Sequence, residues 1–340
     1  MKNEEKILRV TYKKKIRDYN YERIIVDLKN SKNIIALSKE NEIFYNLYKD
    51  LMTNDFMFYF HQGTKSYFIK RKLIAQIWKR KDLISFGDLF YTVEEPPHKR
   101  KNLVAPLRLV VVFSGNDVKN YYNPNIGVRC FTKNYPTLQN VVLKNTIVMR
   151  IMDLNLSHGS HYINTDNYPH FEDDVQGAIK AVIERYDINK EDVVLYGANK
   201  GGTGAFYHSM LGDYKSLSIE PIISILDRKS LLQDNYFLKG LRKDSLLSDL
   251  LKLDKQEFRY KKMVIGSPVI PFNYDMYGQL KNENINIIDV LDNAIDEEGE
   301  VYPETIAEQT TFINNLLLES NNYKNKMEVI KNIYKEAGNV

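Results

Sequence analysis

One stretch near the middle of the chain constrains the fold more than any other. Residues 193–198, Val-Val-Leu-Tyr-Gly-Ala, form an apolar run after the charged turn at residues 190–192, which predicts a buried strand. Three glycines follow between residues 201 and 204, and residues 205–211 have the composition of a helix closed by Gly212. A strand, a tight glycine turn and a helix, in this order, form the setting of a nucleophile elbow.

The elbow motif of α/β-hydrolases reads G-x-S-x-G, with the serine on the strained turn between strand and helix. Here the same frame reads Gly197-Ala198-Asn199-Lys200-Gly201, so Asn199 stands at the nucleophile position. A carboxamide oxygen is a poor nucleophile, and no neighbouring base would activate it as one activates a serine. The sequence therefore predicts the architecture of the elbow without its serine chemistry.

The rest of a catalytic triad is also missing from its expected places. An α/β-hydrolase presents its triad in the order Ser, then Asp or Glu, then His. After the last predicted strand, Glu298 stands where a His-Gly pair is expected, and residues 267–272, after the penultimate strand, contain no carboxylate. No histidine follows residue 208, since the six are His61, His98, His158, His161, His170 and His208. All three triad positions are predicted to be unfilled.

Composition indicates a globular protein of a reducing compartment. Hydrophobic residues make up 43% of the 340 residues, enough for a sizeable core. The single cysteine, Cys130, excludes an intramolecular disulfide framework. The N-terminus lacks the apolar run of a signal peptide, and no stretch approaches the length of a membrane span, so we expect a cytoplasmic protein.

Charge is unevenly distributed along the chain. Residues 1–101 carry 22 Lys and Arg against 13 Asp and Glu, and the remainder carries 26 against 31. A basic N-terminal third could contact an anionic surface, such as the inner face of a membrane, or its charges could merely solvate helices. Both interpretations stay open at this point.

The order of predicted elements indicates an α/β fold with a doubly wound, mostly parallel sheet. We expect a basic N-terminal α/β module at residues 1–100 and an α/β-hydrolase-like domain at residues 101–340, with a helical insertion at about residues 228–258. Within the module, the patterns predict strands at residues 33–38 and 56–60, and helices at residues 42–52 and 66–81.

Three segments carry a resemblance to a known family. The elbow YGANKGGTGAFYH at residues 196–208, the strand end FSG at 113–115 and the segment MDLNLSHGSHYINT at 152–165 resemble the XcbB/CpsF family of capsular polysaccharide biosynthesis proteins. A more distant likeness is to the accessory Sec family that acetylates sugars on exported adhesins through a serine-centred elbow. The resemblance implies a bacterial protein with a hydrolase-like core and a role in surface-polysaccharide assembly, and leaves the reaction open.

Candidate ligand-binding residues lie in three loops of the predicted crevice. Ser114 and Gly115 follow a predicted strand, in the loop that supplies an oxyanion-hole N–H in hydrolases. The loop with His158, Ser160 and His161 is predicted to border the crevice and to be a polar loop, not a metal site. At the elbow the candidates are Asn199, Lys200, Gly201 and Gly202, with Lys200, His158 and His161 also considered for catalysis.

The elbow glycines allow two interpretations. A helix N-terminus with free N–H groups favours an anion such as phosphate, sulfate or carboxylate. Alternatively, the glycines only let the helix pack closely on the strand, and Asn199 only tolerates the unusual backbone of the turn. The residue types fit both interpretations equally.

Three functional hypotheses follow. The first is a surface-polysaccharide biosynthesis protein that binds a glycan, a carrier-linked glycan or another assembly protein, or uses chemistry without a triad. The second is an active transferase that transfers an acyl or glycosyl group to a sugar with Asn199, Lys200 and His158. The third is an esterase or acyltransferase inactivated by replacement of a serine at residue 199. No cofactor, metal or nucleic-acid module is expected.

Overall fold

Two β-sheets organise residues 6–102, 105–226 and 235–320, the parts of the chain that this computed structural model describes. Within these residues the smaller sheet has four strands in the order β1-β2-β4-β3 and the larger has eight. The four are β1 Ile7–Thr11, β2 Arg23–Asp27, β3 Phe56–Gln62 and β4 Lys65–Lys70. The eight are β5 Ile84–Phe86, β6 Leu89–Glu94, β7 Arg108–Phe113, β8 Thr146–Ile151, β9 Val193–Ala198, β10 Lys215–Ile219, β11 Lys262–Gly266 and β12 Ile285–Asp289.

Helices connect these strands and cover both faces of the larger sheet. In the described residues they are α1 Ile34–Glu40, α2 Glu42–Thr53, α3 Ile126–Cys130, α4 Leu138–Val141, α5 Phe171–Arg185, α6 Lys200–Gly212, α7 Asn235–Leu238, α8 Leu247–Leu253, α9 Pro271–Tyr277, α10 Val301–Glu304 and α11 Ile306–Leu318. Short 3₁₀ turns lie at Arg71–Ile77, His98–Arg100, Val118–Asn120 and Lys190–Asp192.

The larger sheet runs in the order β12-β11-β10-β9-β7-β8-β6-β5. Strand β6 pairs antiparallel with both β5 and β8, whereas all other neighbours in this sheet are parallel. Numbered from β5 as strand 1, the order is therefore 1-2-4-3-5-6-7-8, with the glycine elbow directly after the fifth strand. This is the strand order of an α/β-hydrolase, and the predicted fold class is confirmed.

The larger sheet lies between two layers of helices, because its central strands are apolar on both faces. Every residue of β7 is buried, and alternate side chains of a strand point to opposite faces. Leu109 and Val111 pack in one core with residues of helix α5, whereas Val110 and Val112 pack in a second core with residues of helix α11. This two-sided burial explains why β7, β8 and β9 are continuous apolar runs in the sequence.

Residues 33–38, predicted as a strand, belong to helix α1 and its cap. The side chain of Asn33 accepts hydrogen bonds from the N–H groups of Ile35 and Ala36, at 3.1 and 3.2 Å, and so starts the helix. The strand prediction was wrong because a short apolar run looks the same in a buried strand and a buried helix.

Residues 66–81, predicted as one basic helix, are instead strand β4 followed by the 3₁₀ turn at Arg71–Ile77. Gly63, with a φ of +61°, turns the chain so that β4 pairs antiparallel with β3, and β2 pairs with its other edge. Sheet pairing on both sides overrides the local helical pattern here. The predicted helix at residues 42–52 is confirmed by α2, and the predicted strand at 56–60 by β3.

The larger sheet begins at Ile84, which lies before the domain boundary predicted at residue 100. Strands β5 and β6 therefore belong to the hydrolase-like sheet and not to the four-stranded one. The predicted insertion at residues 228–258 contains α7 and α8, and its residues 228–234 lie outside the described residues.

Candidate functional site

Asn199 occupies the turn between β9 and α6 in a strained backbone conformation. Its φ is +53° and its ψ is −117°, a region that non-glycine residues rarely adopt. Its N–H donates a hydrogen bond of 2.9 Å to the carbonyl of Ile219, at the end of the neighbouring strand β10. The side chain is half-buried. The backbone geometry of a nucleophile elbow is thus present with a carboxamide in place of the hydroxyl.

The glycines around Asn199 are explained by close contact between backbones. A Cβ on Gly197 would lie 2.1 Å from the carbonyl oxygen of Gly201, and one on Gly201 would lie 2.3 Å from that of Phe113. A Cβ on Gly202 would lie 2.5 Å from the carbonyl oxygen of Ile219. Real Cβ atoms do not approach backbone so closely. Packing therefore accounts for these glycines without any bound anion.

Lys200 points away from the crevice and into the protein. Its side chain is fully buried, its ammonium donates to the carbonyl of His158, and it lies 3.8 Å from the carboxylate of Asp153. Asp153 is also fully buried and accepts hydrogen bonds of 2.9 Å from the N–H groups of Ser160 and His161. Burial raises the pKa of the Asp153 carboxyl above its usual value. In this structure Lys200 holds the loop that contains Asp153 and His158 in place. This differs from its predicted role as a ligand contact.

The loop of His158, Ser160 and His161 is packed inside the protein and does not line an open crevice. The His158 ring stacks on Tyr121 at 4.2 Å between centroids, and its Nε2 lies 2.8 Å from the carbonyl oxygen of that tyrosine. Ser160 donates to the carbonyl of Ile163 at 2.8 Å, and His161 is fully buried. Their predicted ligand contacts therefore find no support in the geometry. Across the described residues, no group of three or more His, Cys, Asp or Glu could hold a metal ion.

The two N–H groups after β7 already have protein partners. The N–H of Ser114 donates to the hydroxyl of Tyr162 at 2.6 Å, and the N–H of Gly115 donates to the side-chain oxygen of Asn134 at 3.1 Å. In a hydrolase an N–H of this loop would be directed at the oxyanion of the substrate. The arrangement therefore does not present these donors to a ligand.

A residue that the sequence analysis missed lies next to the elbow. Glu220 directly follows strand β10, has a φ of +45°, and is only 6% exposed. Its Oε2 accepts a hydrogen bond of 3.1 Å from the N–H of Gly299, and its Oε1 is buried without a hydrogen-bond partner. Burial, reinforced by the charges of Glu298 and Glu300, raises the pKa of Glu220 to about 8. The signal in the sequence was a single glutamate that ends an apolar strand.

Asn199, Gly299 and Glu220 meet at the carboxyl ends of the strands. A Cβ on Gly299 would lie 3.7 Å from Nδ2 of Asn199 and, apart from its chain neighbours, would meet no other atom of the described residues within 4 Å. Gly299, in the loop after β12, thus stands between the nucleophile position and a buried carboxyl group. Glu298, which was predicted to stand where a His-Gly pair is expected, and Gly299 both belong to this loop.

The strand order and the elbow define an α/β-hydrolase fold with asparagine at the nucleophile position. No helix in the described part of the chain has the length and apolarity needed to cross a membrane.

Comparison with known proteins gives structural likenesses only. The sequence matches no protein-family model and no curated protein. Similar solved structures include a Glycosylation Associate Protein complex from Streptococcus agalactiae, at 16% identity, with 71% of this chain and 46% of that chain covered and a TM-score of 0.49. The capsule O-acetyltransferase of Neisseria meningitidis serogroup A is 14% identical, with 70% of this chain and 94% of that chain covered and a TM-score of 0.46. An S-formylglutathione hydrolase from Agrobacterium tumefaciens is 12% identical, with 69% and 99% covered and a TM-score of 0.45.

Proposed function

We propose that this chain serves in the biosynthesis of a bacterial surface polysaccharide by binding a glycan at the Asn199 crevice, without serine-type covalent catalysis. The observation that carries the proposal is the strained elbow conformation held by an asparagine. The resemblance of residues 113–115, 152–165 and 196–208 to a capsule biosynthesis family supports the polysaccharide part.

The chemistry of the crevice fits binding better than acyl-enzyme formation. A carboxamide has two donor hydrogens and an acceptor oxygen, which match the hydroxyl groups of a sugar, but it is not a useful nucleophile. No histidine follows residue 208, so a serine at residue 199 would also lack the imidazole that a hydrolase places after its last strand.

A matched pair of proteins tests this proposal. The native chain and Asn199→Ser are assayed with p-nitrophenyl acetate, with Asn199→Ala as the control that removes every polar atom of the side chain. We expect all three to stay at the background rate, because no histidine follows residue 208 and the N–H groups of Ser114 and Gly115 already donate within the protein. Turnover by the native protein that disappears in Asn199→Ala would contradict the proposal.

A sugar-modifying transferase is the second candidate, and one observation favours it. Glu220 has a pKa of about 8, which is close to the value at which a group exchanges protons readily at neutral pH. Lys200 and His158, the other two residues considered for this transfer, are buried and bonded within the protein.

The two candidates differ in what Glu220→Gln does to the surface glycan of a producing strain. The amide keeps the size and neutral charge of the protonated carboxyl but cannot transfer a proton. Under the binding function the glycan is made normally at normal protein levels. A glycan that loses one modification, with the protein still folded and abundant, would favour the transferase.

A further inference from the structure

A turn with four exposed cations follows strand β1 of the smaller sheet. Residues 6–17 contain six Lys or Arg residues and no Asp or Glu. The four cations of the turn are exposed, and none of them forms a salt bridge with another described residue: Lys13, Lys14, Lys15 and Arg17. We call residues 13–17 the basic turn.

The basic turn is held at both ends by packing. The ring of Tyr12 lies 4.9 Å, between centroids, from that of Phe44 on helix α2. Ile16 is only 6% exposed and packs in the core that contains the smaller sheet. Between them, the N–H of Lys14 donates to the carbonyl of Thr11 at 3.0 Å. The lysines are therefore presented at a fixed place on the surface, and less backbone freedom is lost when they bind a partner.

A second basic stretch differs in how its charges are used. Residues 65–81 contain seven Lys or Arg residues and no Asp or Glu. However, Arg71 pairs with Asp55 at 2.9 Å, and Arg80 pairs with Asp82 at 2.6 Å. Part of that charge is neutralised inside the protein, whereas the charge of the basic turn is directed at solvent.

An exposed apolar side chain lies beside the basic turn. Ile43, in the first turn of α2, is 59% exposed and directly precedes Phe44, on which Tyr12 packs. The acidic residues next in sequence, Asp18 and Glu42, leave a net charge of +2 against the four cations. Cations beside an apolar group are typical of surfaces that bind lipid, because the charges pair with anionic headgroups while the apolar group enters the boundary with the acyl chains.

The side chains favour a lipid surface over a nucleic acid or an acidic peptide. Three of the four cations are lysines, which act as point charges, whereas bidentate recognition of phosphate or carboxylate uses the planar fork of arginine. Single-stranded bases stack on aromatic faces, but the exposed side chain beside the turn, Ile43, is aliphatic. A layer of anionic headgroups requires neither a fork nor a stacking ring.

We propose that the basic turn and Ile43 form a docking surface for an anionic phospholipid membrane. This contact goes beyond the proposed function, because it lies on the smaller sheet and its helix α2, whereas Asn199 follows a strand of the larger sheet. It would hold the chain at a membrane surface while the crevice binds its glycan.

Sedimentation of the full chain with vesicles tests the docking surface. Vesicles of phosphatidylcholine alone are compared with vesicles that contain phosphatidylcholine and phosphatidylglycerol in equal amounts, at low and at high salt. We expect binding to the mixed vesicles at least about tenfold tighter than to phosphatidylcholine, and weaker at high salt, because ions screen the exposed charges. Equal binding to both kinds of vesicle, or binding to neither, would overturn the proposal.

A triple variant locates the contact. Lys13→Gln, Lys14→Gln and Lys15→Gln, combined in one protein, should weaken binding to the mixed vesicles about a hundredfold, since each cation near an anionic leaflet contributes about a fivefold gain in affinity. All three side chains are exposed, so circular dichroism should show an unchanged fold. If this variant bound the vesicles as well as the native chain, the turn would not be the docking surface.

A matched control separates the place of the charges from their number. Lys180→Gln, Lys252→Gln and Lys255→Gln, combined in the same way, remove three exposed lysines of the hydrolase-like domain and lower the net charge equally. Binding to the mixed vesicles should stay close to that of the native chain. Equal weakening in the two triple variants would show a response to net charge alone and would overturn the docking surface.

A fluorescent residue tests the contact of Ile43. In Ile43→Trp the emission should move to shorter wavelength when the mixed vesicles are added, because the indole leaves water. The native chain, whose only tryptophan is Trp78, provides the baseline. An unchanged emission from vesicle-bound protein would contradict the proposal. If the native chain bound a single-stranded oligonucleotide and not the mixed vesicles, the partner would be a nucleic acid and the proposal would be wrong.

Discussion

The two sides of the elbow use their polar groups in opposite ways, although Asn199 and Lys200 are neighbours in the sequence. On the inner side, Lys200 and Asp153 are fully buried and bind each other and the backbone of one loop. On the crevice side, Asn199 is half-buried on strained backbone, and Glu220 keeps one oxygen without a partner. Satisfied polar groups hold a structure in place, whereas strained and unsatisfied ones mark the face where a ligand can still contribute.

The largest effect is expected on the inner side. Lys200→Met leaves the Asp153 carboxyl buried without its cation, and breaking a buried pair in this way costs about 3 to 5 kcal/mol. Urea unfolding followed by circular dichroism measures the change. Lys243→Met is the control, because Lys243 pairs with Asp249 at 2.7 Å on the surface, where such a pair contributes less than about 1 kcal/mol. Equal losses of unfolding free energy in the two variants would show that the buried Lys200 stabilises the fold no more than a surface lysine does.

An effect of similar size, but dependent on pH, is expected on the crevice side. The pKa of Glu220 is about 8 in the folded protein against an ordinary value of 4.5, so between these values the folded state holds a proton that the unfolded state has lost. The free energy of unfolding therefore falls as the pH rises from about 4.5 to about 8, and levels off above that.

Glu220→Gln removes this titration, so it should make the protein more stable than the native chain at pH 9, by up to about 5 kcal/mol for this difference in pKa, with little difference at pH 4. Thermal and urea unfolding at several pH values measure the difference. Glu308→Gln, at its exposed position, should follow the native profile throughout. If the stability of the native chain and that of Glu220→Gln changed with pH in the same way, the pKa of Glu220 would be the same in the folded and unfolded states. Glu220 would then be ionised in the folded protein at neutral pH.

The comparison also shows what the sequence can predict. The sheet and the elbow were predictable because β7, β8 and β9 are continuous apolar runs and the glycine turn has few alternatives. Glu220 was not, since its place beside the elbow depends on β10 pairing with β9. The inward direction of Lys200 was not predictable either, because its partner Asp153 lies in a distant loop. Contacts set by topology, and not local pattern, determine which polar residues face the crevice.

The smallest change in stability is expected from variants that relieve the strained backbone at Asn199. A non-glycine residue at φ +53° and ψ −117° costs about 1 to 3 kcal/mol, and glycine relieves this strain while it gains about 0.5 to 1 kcal/mol of unfolded-state entropy. Asn199→Gly should therefore raise the free energy of unfolding by about 1 kcal/mol. Asn199→Ala, which keeps the strain and lacks the polar side chain, should not raise it. If glycine destabilised the protein as much as alanine does, the backbone of the crevice side would hold no strain, and the unpartnered Oε1 of Glu220 would be the remaining difference between the two sides.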